Sequence, residues 1–134
     1  MLFLTKMHNQ MPQEIEVWYI IPALRRELAK SMIEAGLTQK KVAEHMGITE
    51  AAVSQYISNK RAKEVVFSNA VLDEIKKSAK RIMEDKKQLV PEMMRLSKLT
   101  GVMQVMCDIH MKQDVNLPGG CDICFDEDLV DIKK

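Results

Sequence analysis

The stretch from Thr38 to Arg61 constrains the fold of this chain more than any other part of the sequence. It contains two short segments with helical apolar spacing, separated by Gly47. A threonine precedes each segment, and its hydroxyl can accept a hydrogen bond from the first turn of a helix. Glycine between the segments permits the positive φ of a tight turn. The stretch is therefore predicted to form two helices, capped by Thr38 and Thr49.

The spacing within these two predicted helices is that of a helix-turn-helix. When the count starts at Gln39, the fifth, ninth and fifteenth residues are Ala43, Gly47 and Val53. The fifth position needs a small side chain because the helices cross closely there, and the fifteenth needs an aliphatic one to fill the core between them. The second helix of such a unit is presented to the major groove of DNA. The spacing predicts a DNA-binding unit, and the alternative is an ordinary three-helix cluster.

Side chains on the outer face of the second helix are candidates for contact with base edges. They are Thr49, Glu50, Ala51, Ser54, Gln55 and Ser58. Gln55 suits adenine, Ala51 suits the methyl group of thymine, and Glu50 suits cytosine. Phosphate contacts position a protein without specifying sequence. The candidates for them are Gln39, Lys40, Lys60, Arg61 and Lys63, and the DNA-binding set also includes Asn59.

The charge distribution favours nucleic-acid binding by the main body of the chain. Residues 1–107 carry 17 Lys and Arg against 12 Asp and Glu, whereas residues 108–134 carry 3 Lys and 7 acidic residues. A basic body attracts phosphates, although a solvated mixed-charge surface has the same composition. No apolar run approaches the ~20 residues that span a membrane, and the first residues do not form a signal peptide. We therefore expect a cytoplasmic protein with no membrane partner.

Upstream of the two-helix unit, the sequence predicts one further helix. It begins at Pro22, a residue well suited to the first helical position, and ends at Gly36. Its apolar stripe consists of Leu24, Leu28, Met32 and Ala35. Charged residues lie off that stripe, namely Arg25, Arg26, Glu27, Lys30 and Glu34. Residues 14–21, by contrast, are predicted to be a short extended segment.

Downstream, helical spacing continues and makes the predicted fold class all-α. Residues 68–88 have an apolar face and a basic face. A second helix is predicted to open at Pro91 and to reach Met106. Gly101 weakens this helix.

Three cysteines and one histidine near the end of the chain have a spacing that suits metal binding. Cys107 and His110 are three residues apart and would share one face of a helix. Cys121 and Cys124 follow as a Cys-x-x-Cys pair behind a Pro-Gly-Gly turn. Three thiolates and one imidazole complete a tetrahedral zinc site, whereas three cysteines can also hold a 4Fe–4S cluster. The spacing predicts a metal centre, with independent thiols as the alternative.

The residues AVSQY at 52–56 and SNKR at 58–61 resemble the Cro/repressor, or XRE-type, helix-turn-helix. The run from Glu16 to Arg61, about a third of the chain, resembles archaeal XRE-type transcriptional regulators. This resemblance implies sequence-specific binding of a homodimer to a palindromic operator in double-stranded DNA. Some archaeal regulators with a comparable cysteine-bearing end are iron–sulfur proteins, so the resemblance favours a cluster over zinc.

Together these features predict a lambda-repressor-like helix-turn-helix domain at residues 14–66, a helical extension for dimerisation at 67–106, and a Cys/His metal-binding end at 107–134. The expected function is a dimeric transcriptional repressor whose operator binding responds to an iron–sulfur cluster held by the three cysteines. The alternative is a DNA-binding protein with a structural zinc site and no sensing role. No enzymatic activity is expected, because the sequence has no Gly-rich phosphate loop and no nucleophile–base arrangement. An interaction protein of the antitoxin type is a further alternative.

Overall fold

In a computed structural model that describes residues 11–58 and 65–113, the chain folds into helices joined by short turns. In chain order they are α1 (Pro12–Ile15), a π-helix (Glu16–Ile20), α2 (Ile21–Glu34), α3 (Gln39–Met46), α4 (Glu50–Ile57), α5 (Asn69–Glu84), a 3₁₀-helix (Lys86–Gln88), α6 (Leu89–Ser97) and α7 (Thr100–Gln113). No strand occurs in the described ranges, which confirms the all-α prediction for that part of the chain. No helix in these ranges is both long and apolar enough to cross a membrane.

Helix α2 is the centre of the fold because other helices pack around it. Its contacts include α3, α4, α5 and α6. The predicted apolar stripe is confirmed at Leu24, Leu28 and Met32, which are fully buried. Burial of each such side chain stabilises the fold by about 1.5–3 kcal/mol. The prediction was wrong at Ala35, which is exposed because it follows the last residue of α2 as the C-terminal cap.

The residues before α2 are helical, so the extended segment predicted for residues 14–21 is wrong. Helix α1 runs directly into the π-helix, which runs into α2. Pro22 is the second residue of α2 and accounts for the wider turn before it. A proline within a helical run has no N–H to donate, and its ring clashes with the carbonyl four residues earlier. The Ile21 N–H instead donates to the carbonyl oxygen of Glu16, five residues back.

Side-chain caps and two glycines set the boundaries of α2, α3 and α4. The Thr38 hydroxyl oxygen accepts a hydrogen bond from the backbone N–H three residues later at 3.2 Å, and Thr49 does the same at 3.0 Å. Gly36 and Gly47 have φ values of 103° and 65°, which favour glycine because it lacks a β-carbon. The predicted caps and turns are confirmed.

The described chain resumes after α4 at Val65, and this segment is fixed to α2 by a buried arginine. The Arg26 guanidinium donates from Nη2 to the Val65 carbonyl oxygen at 2.8 Å and from Nε to Glu27 Oε2 at 2.7 Å. Val65 and Phe67 pack in the core beside it. Arg26 is buried, although it lies off the predicted apolar stripe. A buried charge is tolerated when it is paired and hydrogen-bonded.

Three α-helices occupy the region where two were predicted. Helix α5 ends at Glu84, before the 3₁₀-helix, and α6 begins at Leu89 rather than at Pro91. The predicted helix from Pro91 to Met106 is wrong, because α6 ends at Ser97 and α7 starts at Thr100. The apolar spacing of α6 and α7 did not indicate this break.

Gly101 allows a close approach between α7 and α5. A β-carbon at this position would lie 2.7 Å from Val71 Cγ2, a distance that real β-carbons essentially never show. Gly101 was predicted only to weaken a helix. In the structure it removes the side chain that would separate α7 from the buried Val71.

A polar cluster joins α5 to α6 and is called the Glu92 cluster below. Its members are Glu74, Ser78 and Arg81 of α5 and Glu92 and Arg95 of α6. Glu92 Oε1 accepts hydrogen bonds from Ser78 Oγ at 2.6 Å and from Arg81 and Arg95 at 3.1 Å each. Arg95 also donates to Ser78 Oγ at 2.7 Å and to Glu74 Oε1 at 2.9 Å. The cluster fixes α6 on α5 through several bonds to one carboxylate.

The hydrogen bonds of the Glu92 cluster also keep its two carboxylates ionised. Burial raises the pKa of Glu92, but hydrogen bonds from Ser78, Arg95 and Arg81 outweigh that effect and hold the pKa below its usual value. The pKa of Glu74 is lowered by hydrogen bonds from Arg95 and Lys77. The carboxylates therefore stabilise the folded state in their charged form.

Candidate nucleic-acid interface

Helices α3 and α4 pack on each other and on α2 through the residues that the spacing predicted. Ala43 is buried where the helices meet, and Val53 is fully buried. Gly47 adopts the left-handed conformation between them, and the Ile48 N–H donates to the Ala43 carbonyl oxygen at 3.2 Å. Tyr56 is buried as well, on the inner side of α4. The helix-turn-helix geometry predicted from the sequence is therefore present.

The outer face of α4 is exposed and consists of short polar side chains around one alanine. Its residues, all exposed, are Thr49, Glu50, Ala51, Ser54, Gln55 and Ser58. The hydroxyl and amide groups can donate and accept hydrogen bonds, and the Ala51 methyl group can make an apolar contact. Because Val53 and Tyr56 fix α4 from the inside, this face is presented on a rigid element.

The ends of α3 and α4 that precede this face carry different charges. Gln39 and Lys40 are exposed in the first turn of α3, where the backbone N–H groups and the helix dipole favour an anion such as phosphate. Glu50 begins α4 and is also exposed. Its carboxylate repels phosphate but can accept a hydrogen bond from a base edge. The α3 end therefore suits the DNA backbone, and the α4 end suits bases.

Four predicted DNA contacts lie outside the described residues. They are Asn59, Lys60, Arg61 and Lys63. Their roles stay predictions.

The predicted metal ligands divide between the described and the undescribed parts of the chain. Cys107 and His110 lie one turn apart on α7, and both are buried. Helix α7 packs against α1, the π-helix, α5 and α6. Cys121 and Cys124 lie outside the described residues. Within the described ranges, no three His, Cys, Asp or Glu side chains are grouped so that they could hold a metal ion.

One positioning residue near the two-helix unit was not predicted. Arg26 holds the chain after α4 through the Val65 carbonyl, and the two residues are 39 positions apart in sequence. The spacing of charged residues on α2 carried no sign of this distant partner. The buried arginine therefore fixes the described segment that begins at Val65 to α2.

Comparison with known proteins agrees with this geometry. Residues 28–65 match the family model described as Helix-turn-helix, and the matched range runs from the second half of α2 through α3 and α4 to Val65. Searches of curated proteins and of solved structures found no match. The match over residues 28–65 supports a helix-turn-helix domain of the XRE type in this part of the chain, and it suggests a DNA-binding transcription regulator.

Proposed function

We propose that the chain is a sequence-specific transcriptional repressor that places α4 in the major groove of its operator. The observation that carries this proposal is the division of α4 into two faces. Val53 and Tyr56 are buried against the other helices, whereas every predicted base-contacting residue is exposed. A helix held in this way can present side chains to base edges without rearranging its own core.

Each exposed residue of α4 has a role that follows from its chemistry. Gln55 pairs with the N6 and N7 atoms of an adenine, Ala51 contacts a thymine methyl group, and Glu50 accepts from a cytosine amino group. Ser54 and Ser58 bond base edges or phosphates. Gln39 and Lys40, at the start of α3, contact phosphates and set the register of the protein on the duplex.

The repressor is proposed to bind a palindromic operator as a homodimer. One copy of α4 reads a few base pairs, and two copies related by a twofold axis read two half-sites about one helical turn apart. Helices α5 to α7 supply the dimer contact.

Selection from random DNA duplexes with the full chain tests the proposal. A palindromic consensus is expected, and Gln55→Ala should weaken binding to it by about 5- to 150-fold for each half-site, because each bidentate base contact contributes about 1–3 kcal/mol. Gln13→Ala is the matched control, since Gln13 is an exposed glutamine on α1. Recovery of no consensus, or equal affinities for Gln55→Ala and Gln13→Ala, would contradict base reading by α4.

A second proposal concerns the cysteines, and it is favoured by the position of Cys107 and His110. These side chains lie one turn apart in a buried part of α7, and a thiolate and an imidazole suit zinc or an iron–sulfur cluster. We propose that Cys107, Cys121 and Cys124 hold a 4Fe–4S cluster, with His110 as the fourth ligand. An iron–sulfur cluster supplies a redox-sensitive centre, whereas zinc in a Cys3His site supplies a structural link. In either case the ligands join the end of the chain to α7.

Elemental analysis and an absorption spectrum of anaerobically purified protein distinguish the two centres. Iron, inorganic sulfide and visible absorption are expected for a cluster, and zinc with no colour for the alternative. Operator affinity is then measured for the holo and apo proteins. Sensing predicts different affinities, and equal affinities with an unchanged oligomeric state would leave the centre a structural role only.

A further inference from the structure

Helix α6 has two apolar faces, and only one of them packs into the core. Leu96 is fully buried on the inner face, and Met93 packs beside it. On the outer face, Val90 is 63% exposed and Met94 is 54% exposed. These two residues are four apart, so their side chains are neighbours on the helix surface. Together with Lys98, four residues further on, they form what we call the α6 stripe.

A groove of about 330 Å³ lies at the Lys98 end of the α6 stripe. Its lining residues are Glu16 of the π-helix, Ser97 at the end of α6, Lys98 directly after it, and Met103 and Met106 of α7. Methionine side chains adapt to irregular partner surfaces. This methionine groove is therefore an apolar recess beside the projecting side chains of the α6 stripe.

The methionine groove has one acidic and one basic side chain, and their arrangement indicates which partner fits. Glu16 and Lys98 make no side-chain hydrogen bond or ion pair with each other or with other described residues. Two identical subunits related by a twofold axis need a surface that is complementary to itself, because each contact occurs twice. The patch meets this requirement because it combines the projecting α6 stripe, the recess of the methionine groove, and one charge of each sign. A different protein would need no such self-complementarity.

We propose that the α6 stripe and the methionine groove form the homodimer interface, with Met94 of each protomer seated in the groove of the other. Glu16 then faces the partner's Lys98, and this pair occurs twice. The inference rests on the dimer in the proposed function and specifies its surface. Helix α4 packs against α2 and α3, whereas α6 and α7 pack against α1, the π-helix, α2, α5 and each other. The interface and the base-reading face are thus built on different helices.

A substitution in the α6 stripe tests the interface in the full chain. Val90→Lys should raise the dimer dissociation constant at least tenfold in sedimentation equilibrium, since a buried contact residue contributes about 1.4 kcal/mol or more. Val66→Lys is the matched control, because Val66 is an 80% exposed valine in the segment before α5. Its dissociation constant should equal that of the wild type. At concentrations where all three chains are monomeric, both variants should keep the wild-type melting temperature, since both side chains are then exposed.

A mixing experiment tests the charge pair without any assumption about folding. Glu16→Lys alone and Lys98→Glu alone each place like charges together twice, which should weaken the dimer about three- to tenfold. In an equimolar mixture of the two variants, the heterodimer has two attractive pairs and should form with wild-type affinity. A pair formed within one chain cannot be restored by mixing.

Three results would overturn the interface: a wild-type chain that is monomeric at all concentrations, equal dissociation constants for Val90→Lys and Val66→Lys, or a mixture as weak as its components. DNA reading is tested separately, because Gln55→Ala leaves the α6 stripe intact. If Val90→Lys dimerises like the wild type while Gln55→Ala still loses operator affinity, the interface is wrong and base reading by α4 stands.

Discussion

Helices α3 and α4 meet through small and aliphatic side chains, whereas α5 and α6 are joined by a polar cluster around one carboxylate. In the first pair, Ala43 and Val53 fill the space between helices, and each helix has its own threonine cap. In the second pair, Glu92 accepts bonds from residues as far as 14 positions away. The first arrangement is determined by neighbouring residues, and the second by contacts between distant ones.

This difference matches the roles proposed for the two regions. The helices proposed to read DNA need a fixed core and an outer face that can vary without loss of stability. The helices proposed to form the dimer need a fixed orientation of α6 on α5, and several hydrogen bonds to one carboxylate supply it. We therefore expect single changes in the α5–α6 region to have larger and more strongly coupled effects on stability than changes at the ends of α3 and α4.

Removal of the central carboxylate should have the largest effect. Glu92→Ala leaves Ser78 and Arg95 without their shared acceptor and should lower the free energy of unfolding by about 2–3 kcal/mol. Glu84→Ala, at an exposed glutamate of α5, is the control and should change it by less than about 0.5 kcal/mol. Urea unfolding of both variants measures this. Equal small effects would show that the Glu92 cluster does not stabilise the α5–α6 pair.

The next largest effect is expected at Gly101, through its contact with Val71. Gly101→Ala raises the helix propensity of α7 but forces a methyl group against Val71. The free energy of unfolding should therefore fall by about 1 kcal/mol in total. Val71→Ala removes the Cγ2 atom that the new methyl group would contact. In the double variant, the loss in the free energy of unfolding should therefore be smaller than the sum of the two single losses by about 1 kcal/mol. Additive losses would mean that α7 shifts freely away from α5.

A smaller, independent effect is expected at the cap of α4. Thr49→Ala removes the hydroxyl that accepts a backbone hydrogen bond and should cost about 1 kcal/mol. Combined with Glu92→Ala, the two losses should add, because the sites share no partners. Chemical unfolding of the double variant provides the test, and strong coupling between the sites would argue against two separately stabilised regions.

The smallest effect is expected in the pH dependence of stability. Because the pKa values of Glu74 and Glu92 are lowered by folding from the usual 4.5, their stabilisation is complete above that pH and is lost as the pH falls through the folded-state values. The difference in stability between wild type and Glu92→Gln, about 1 kcal/mol at neutral pH, should therefore shrink below pH 4.5. The difference for Thr49→Ala should stay constant. A Glu92→Gln difference that widens in acid would contradict the lowered pKa.

The same contrast explains how much of the molecule could be predicted from its sequence. Thr38, Thr49 and Gly47 act on the residues next to them, so their roles were correctly predicted from spacing. The prediction of an extended segment for residues 14–21 was wrong. Proline is typical of the first position of a helix, so Pro22 indicated a helix start, but the π-helix accommodates Pro22 within a longer helical run. The contact of Arg26 with Val65 and that of Gly101 with Val71 join distant residues, and no periodicity encodes them. The outer face of α4 was predictable because helical period alone divides it from Val53 and Tyr56.

Base reading by α4 is tested most directly by changing protein and operator together. Wild type and Gln55→Ala are titrated against the selected operator and against operators in which one base pair at a time is replaced symmetrically in both half-sites. We expect Gln55→Ala to lose discrimination at one A·T pair of each half-site, where the protein and DNA changes are non-additive by about 1–3 kcal/mol for each half-site, and to discriminate normally at all other positions. Additive losses at every base pair would show that Gln55 reads no base and would contradict the account.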